Sequence, residues 1–190
     1  MEVTLNRDEM DDAIALANIT FARWKNQRGF YPNEYNSHIK GKLGEIAVEK
    51  ALKSEDVAHA SHFRNAKSQG LCDIELANAQ YARLDVKIWS LEHWPDQGRC
   101  VTPGQLPKLQ SLADAVVWCI VDLPKINTAS DLDRLTELLI DIQGWSTVDE
   151  VAATTPGPTG WRKIVNHQVD ETALRSPTSL FASFRSNGSE

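Results

Sequence analysis

Leu71-Cys72-Asp73-Ile74-Glu75-Leu76 and Tyr81-Ala82-Arg83-Leu84-Asp85-Val86-Lys87-Ile88-Trp89, joined by Ala77-Asn78-Ala79-Gln80, are the stretch that decides the fold. Both runs alternate apolar and polar residues with period two, the pattern of strands with one buried face. The short connection between them predicts a β-hairpin. On the first strand Cys72, Ile74 and Leu76 share one face, and Asp73 and Glu75 the other. On the second, Leu84, Val86 and Ile88 oppose Asp85 and Lys87. Paired across the turn, the strands bring Asp73, Asp85 and Lys87 together over an apolar layer. Two neighbouring carboxylates repel each other and raise one pKa unless a cation sits between them. The pattern therefore points to a divalent-metal site with hard oxygen ligands. Metal, carboxylates and lysine are what phosphodiester hydrolysis needs. The metal polarises the phosphate and acidifies a water, and the lysine orients that water or offsets developing charge.

Outward from the hairpin, apolar residues at helical spacing predict one helix from Arg7 to about Gln27, with Gly29 as its stop, and a second from about Ser37 to Lys53. Val57–Phe63 reads as a strand before the hairpin. After it, Arg99–Val101 reads as a short strand and Gln105–Ala113 as a short helix. Ala115–Val121 (AVVWCIV) is a continuous apolar run, the pattern of a buried central strand. Leu132–Ile142 is ambiguous between helix and strand, and Gly144–Val151 reads as a turn into a short helix. Residues 154–160 read as a loop, and the tail over Val169–Phe184 as a last strand or helix. The order is that of an α/β chain built around a mixed sheet flanked by helices.

Asp73, an 11-residue gap and then Asp85-Val86-Lys87 on the second hairpin strand resemble the PD-(D/E)xK nuclease superfamily. That family also places a glutamate on the helix before the core sheet, and Glu45 in Gly44-Glu45-Ile46-Ala47 matches it. The resemblance spans about residues 38–121 and implies a restriction-endonuclease-like fold. In that frame the chain is one domain over 1–190, with an N-terminal helix over 7–28 and a C-terminal extension over 122–190. The resemblance implies Asp73, Asp85 and the backbone carbonyl of Val86 as Mg²⁺ ligands, with Mn²⁺ as a substitute. Lys87 would act on the nucleophilic water, and Glu45 would hold a water of the metal's shell or a second metal. Gln105 sits where some members carry a further active-site glutamine. Glu75 could replace Asp73 or add to it. Cys72 stands where proline is usual. The activity implied is cleavage of DNA to 5′-phosphate and 3′-hydroxyl ends, in restriction, phage defence or repair. Cutting both strands with one site per chain calls for a homodimer.

Asp85-Val86-Lys87 is the one (Asp/Glu)-x-Lys tripeptide in the chain, and about one is expected by chance in 190 residues. The tripeptide therefore carries weight only with Asp73, the alternation and Glu45. Without them, Asp73, Glu75, Arg83, Asp85 and Lys87 read as ordinary ion pairs on a solvated hairpin face.

The net charge is −6, with +1 over residues 36–110 and −5 over residues 111–190. A protein that grips nucleic acid by charge alone carries a basic stripe. Contact with nucleic acid must here be local, through Lys40, Lys42, Arg64, Lys67, Arg83, Arg99 and Lys108. The acidic tract from Asp131 to Glu150 reads as an exposed face open to a protein partner. Trp89 and Trp94 lie where an aromatic could stack on a base, whereas Trp118 reads as core. Cys72, Cys100 and Cys119 have neither disulfide nor zinc spacing, and read as reduced thiols in a cytoplasmic protein. No apolar run is long enough to cross a membrane. Two further readings stand beside the DNA nuclease. One is an RNA nuclease, and the other a non-catalytic interaction module on the same fold.

Overall fold

The computed structural model of the chain describes residues 1–24, 35–65, 70–123 and 132–185. Its centre is a mixed sheet in the order β1-β7-β6-β4-β3-β2. The strands are β1 (Glu2–Asn6), β2 (His59–Ser61), β3 (Ile74–Leu76), β4 (Arg83–Ser90), β6 (Ala115–Val121) and β7 (Glu137–Thr147). A smaller sheet has β9 (Ile164–Gln168) between β5 (Cys100–Val101) and β8 (Gly157–Thr159). The helices are α1 (Arg7–Trp24), α2 (Tyr35–Ser54), α3 (Trp94–Gln97), α4 (Leu106–Leu112), α5 (Val148–Ala153) and α6 (Pro177–Arg185). No helix among the described residues is long and apolar enough to cross a membrane.

AVVWCIV is β6, and all seven of its side chains are buried. Alternation divides them between two apolar layers. Ala115, Val117, Cys119 and Val121 pack with Leu84 and Val86 of β4 against Met10, Ala13 and Ala17 of α1, Leu43 and Ala47 of α2, and Phe181 of α6. Val116, Trp118 and Ile120 pack on the other side with Trp94, Leu109, Val148 and Val151. β4 runs parallel to β6 from Leu84↔Ala115 to Ser90↔Val121, and residues 91–114 make the crossover.

The hairpin forms with shorter arms than the alternation predicts. β3 and β4 pair only at Ile74↔Leu84 and Glu75↔Arg83. The connection bends through Asn78, whose φ of 58° is left-handed. Val57–Phe63 is strand only over His59–Ser61, because the chain then tightens into a 3-10 turn at His62–Arg64. The N-terminal helix runs from Arg7 to Trp24, and its expected end with Gly29 lies outside the described residues.

The C-terminal third departs further. Residues 132–150 are not only surface: they hold Leu132, which is fully buried, and β7 between β1 and β6, while Asp133, Glu137 and Asp149 stay exposed. Three of the carboxylates meet cations of the same chain. Asp133 pairs with Arg7, Asp141 with the Met1 amino group and Glu150 with Arg175. Residues 157–159, expected as loop, are β8.

Candidate active site

Helix α2 lies close to β4 because of Gly44. A Cβ there would stand 3.1 Å from the Ile88 Cβ, tighter than ordinary packing allows. The next residue, Glu45, is thereby brought to the strand that carries Asp85 and Lys87. Asp73 arrives from the other side, immediately before β3. Its backbone N–H donates to the Leu84 carbonyl at 3.0 Å, and its Oδ2 accepts the Val86 N–H at 2.8 Å. β3 covers β4 no further than Leu84, while β6 accompanies β4 to Ser90. The edge of β4 beyond Val86 has no strand partner on the β3 side, and beside it Glu45, Asp73, Asp85 and Lys87 lie near enough to shift one another's charge.

Asp85 Oδ2 and Lys87 Nζ are 2.6 Å apart. The oxygen is buried and receives no well-directed hydrogen bond, so the lysine neutralises it without satisfying it. Glu45 is 7% exposed, and its Oε2 accepts from Lys42 Nζ at 2.6 Å. Burial, then repulsion from Asp73, pushes the Glu45 carboxyl up to about 8 despite Lys42. Asp73 is also pushed up, by burial and by Asp85. Lys87 loses solvation, yet Asp85, Asp73 and Glu45 raise its pKa on balance. Three carboxylates thus share one electrostatic environment with two ammonium groups, one negative charge in excess when all are ionised.

That excess is the test of fit for a divalent cation. A buried Asp85 oxygen that meets only the Lys87 ammonium, beside a Glu45 carboxyl that burial pushes up to about 8, is chemistry a hard cation would relieve. The oxygen donors are of the type a hard cation takes. Among the described residues, however, no three histidine, cysteine or carboxylate side chains converge as a ready-made metal cage.

Lys42 belongs to this site although the sequence placed it on a phosphate track. The signal was available: Lys42 and Glu45 are three apart on one helix, the spacing at which side chains touch. Other expected members lie elsewhere. Glu75 is half-exposed and meets His62 Nε2 at 2.9 Å. The Gln105 side chain folds back onto the Thr102 backbone at the start of α4. Trp94 is 4% exposed, stacked under Arg99 and bonded to Glu171, so it offers no face to a base.

Of the expected cationic track, Lys42 and Arg99 are buried, Lys108 is exposed, and two arginines are engaged by carboxylates of the same chain. Arg64 holds Glu49 and Asp12, and Arg83 holds Asp114. Lys67 lies outside the described residues. Trp89 continues the strand at half exposure, its indole N–H buried without an acceptor. The three cysteines are free and buried. An open hollow lined by Tyr81, Arg83, Gln110, Asp114 and Asp149 includes none of the four predicted residues.

No protein-family model, curated protein or solved structure matches this chain.

Proposed function

We propose that the chain is a Mg²⁺-dependent deoxyribonuclease on a restriction-endonuclease-like fold, acting as an endonuclease and working as a homodimer. One observation carries the reading. Glu45, Asp73 and Asp85, from a helix, a strand entry and a strand, are coupled electrostatically to one another and to Lys42 and Lys87 beside the uncovered edge of β4, three carboxyls against two ammonium groups. Two features of the fold support it: Glu45 sits on the helix preceding the meander, and AVVWCIV lies centrally beside the DVK strand.

When bound, the divalent cation supplies electrophilic polarisation of the scissile phosphate and a more acidic water. Asp73 and Asp85 would hold the ion together with the Val86 carbonyl, and Glu45 would hold a water of its shell or a second metal. Lys87 positions the attacking water and offsets charge on the phosphate oxygens. Lys42 fixes the Glu45 carboxylate by its 2.6 Å contact.

The test is incubation of the protein with plasmid, linear and single-stranded DNA, and with RNA, in Mg²⁺, Mn²⁺ and EDTA. Asp85→Ala and Lys87→Ala variants, matched to the parent by circular dichroism, run beside it. DNA cleavage that needs the metal and falls at least about a hundredfold in both variants is the expected result. Cleavage of RNA alone would replace the substrate. The second reading is a non-catalytic interaction module. No cleavage, together with no Mg²⁺ or Mn²⁺ binding by calorimetry, would establish that reading instead.

A further inference from the structure

The second small-sheet connection, between β8 and β9, presents an aromatic and two cations at its outermost point. Gly160-Trp161-Arg162-Lys163 is a tight turn closed by the Lys163 N–H donating to the Gly160 carbonyl at 3.2 Å. Trp161 and Arg162 therefore occupy its two corner positions. Trp161 is 75% exposed, against 51% or less for the other exposed large hydrophobic residues described. Arg162 lies over the indole, 4.7 Å from guanidinium carbon to ring centre. With one face under the guanidinium and so much of the side chain exposed, the opposite face of the ring stands open.

The turn is braced. Below it, β8 and β9 pair from Gly157↔Asn166 to Thr159↔Ile164, and the buried Asn166 amide donates to Thr159 Oγ1 at 2.5 Å. Gly160 has a φ of +62° and lies so close to the Gln97 side chain of α3 that a Cβ there would overlap it. The tip is thus seated on the chain leaving β4, the strand of the proposed catalytic residues. Its charge is distinctive. No aspartate or glutamate occurs between Glu150 and Asp170, and Arg162 and Lys163 are the only lysine or arginine there, within residues 111–190, whose balance is −5.

An exposed indole backed by a guanidinium and flanked by an ammonium matches one ligand chemistry: an unstacked nucleobase with its neighbouring phosphates. The base stacks on the open ring face, and Arg162 and Lys163 meet the phosphates. We infer that the β8–β9 tip is a nucleic-acid-binding element in which Trp161 stacks on a base of a single-stranded or frayed segment. This inference goes beyond the nuclease reading and does not depend on catalysis.

Binding of a fluorescein-labelled, mixed-sequence single-stranded oligonucleotide, followed by anisotropy in EDTA, tests it without cleavage. Trp161→Ala is expected to weaken binding roughly tenfold with little change in salt dependence. Arg162→Gln with Lys163→Gln is expected to weaken it and to lower the salt slope by about 0.7 per lost phosphate contact. Trp161→Phe should restore part of the affinity. Thermal midpoints report whether each exposed substitution leaves the fold intact. Affinity unchanged in Trp161→Ala, or no binding by the parent chain, overturns the inference. So does Trp161-dependent binding to phosphatidylserine vesicles with oligonucleotide binding unaffected. Failure of the nuclease reading would look different, as Trp161-dependent binding in EDTA with no cleavage in Mg²⁺.

Discussion

Replacing Glu49 with glutamine is expected to remove stability in a pH-dependent way. Glu49 lies on α2, one turn after Glu45, and is 4% exposed. Burial alone would raise its pKa, but Arg64 outweighs it and Lys53 adds to the effect, bringing the carboxyl down to about 2. Arg64 Nε donates to Glu49 Oε1 at 2.8 Å, and Lys53 Nζ stands 3.2 Å from Oε2. A carboxyl whose pKa falls on folding stabilises the native state above its unfolded value of 4.5, and loses that contribution as pH drops toward the folded value. A shift from 4.5 to about 2 corresponds to about 3 kcal/mol at neutral pH and about 2 kcal/mol at pH 3.5. Urea unfolding of parent and Glu49→Gln, followed by tryptophan fluorescence at pH 7, 5, 4 and 3.5, measures the gap. The gap should be flat from pH 7 to 5 and close by about 1 kcal/mol between pH 5 and pH 3.5, whatever constant offset the amide adds. An unchanged gap across that range would refute the argument, because the ion pair would then contribute nothing through its charge. Arg64→Ala provides the cross-check, since it should flatten the same dependence from the other partner.

Two further outcomes are expected. Gly44→Val drives methyl groups into Ile88 and should destabilise the fold by about 1–3 kcal/mol, with Gly44→Val/Ile88→Ala recovering part of it in thermal melts. An equal loss in both would place the strain elsewhere. Ser146→Ala removes the acceptor 2.9 Å from the buried Trp118 indole N–H and should cost about 1–3 kcal/mol in urea unfolding, while Trp118→Phe/Ser146→Ala should lose little beyond Trp118→Phe alone.

The site was legible in the sequence to the extent that it rests on local pattern. Strand alternation aligned Asp85 with Lys87, and the hairpin brought Asp73 to them. Glu45 was recognised by resemblance, and the close approach that brings it in depends on Gly44 meeting Ile88, residues that are far apart in the chain. Elements made by distant partners were hidden. β1 has only Val3 and Leu5 facing inward, amid acidic neighbours, and exists as a strand because β7 lies beside it. β7 defeated a strict period of two for a specific reason. Opposite Trp118 and Cys119 of β6 stand Gly144 and Ile142, so Gln143 is an extra residue in a bulge. Leu138, Ile140 and Ile142 face one layer at even positions, and Trp145 continues on that layer at an odd one. The phase change reads, in sequence, as the end of a strand. The basic residues show another limit of the sequence: Arg64 and Arg83 pair with Glu49, Asp12 and Asp114, and one-dimensional charge counting does not show which cations are already matched.

The pairing of β1 with β7 also sets an order of events. Val3 meets Ile140, and Leu5 meets Leu138, so the first strand of the sheet to be synthesised waits for about 130 further residues before its partner exists. At ordinary translation speeds that wait is on the order of 10 s, far longer than a helix or hairpin needs to form. α1, α2 and the hairpin can gather during this interval, but the sheet closes only when β7 has left the ribosome. Until then β4, with the proposed catalytic residues, belongs to a half-built sheet, and a nascent chain paused before β7 exposes the apolar strand AVVWCIV along one edge.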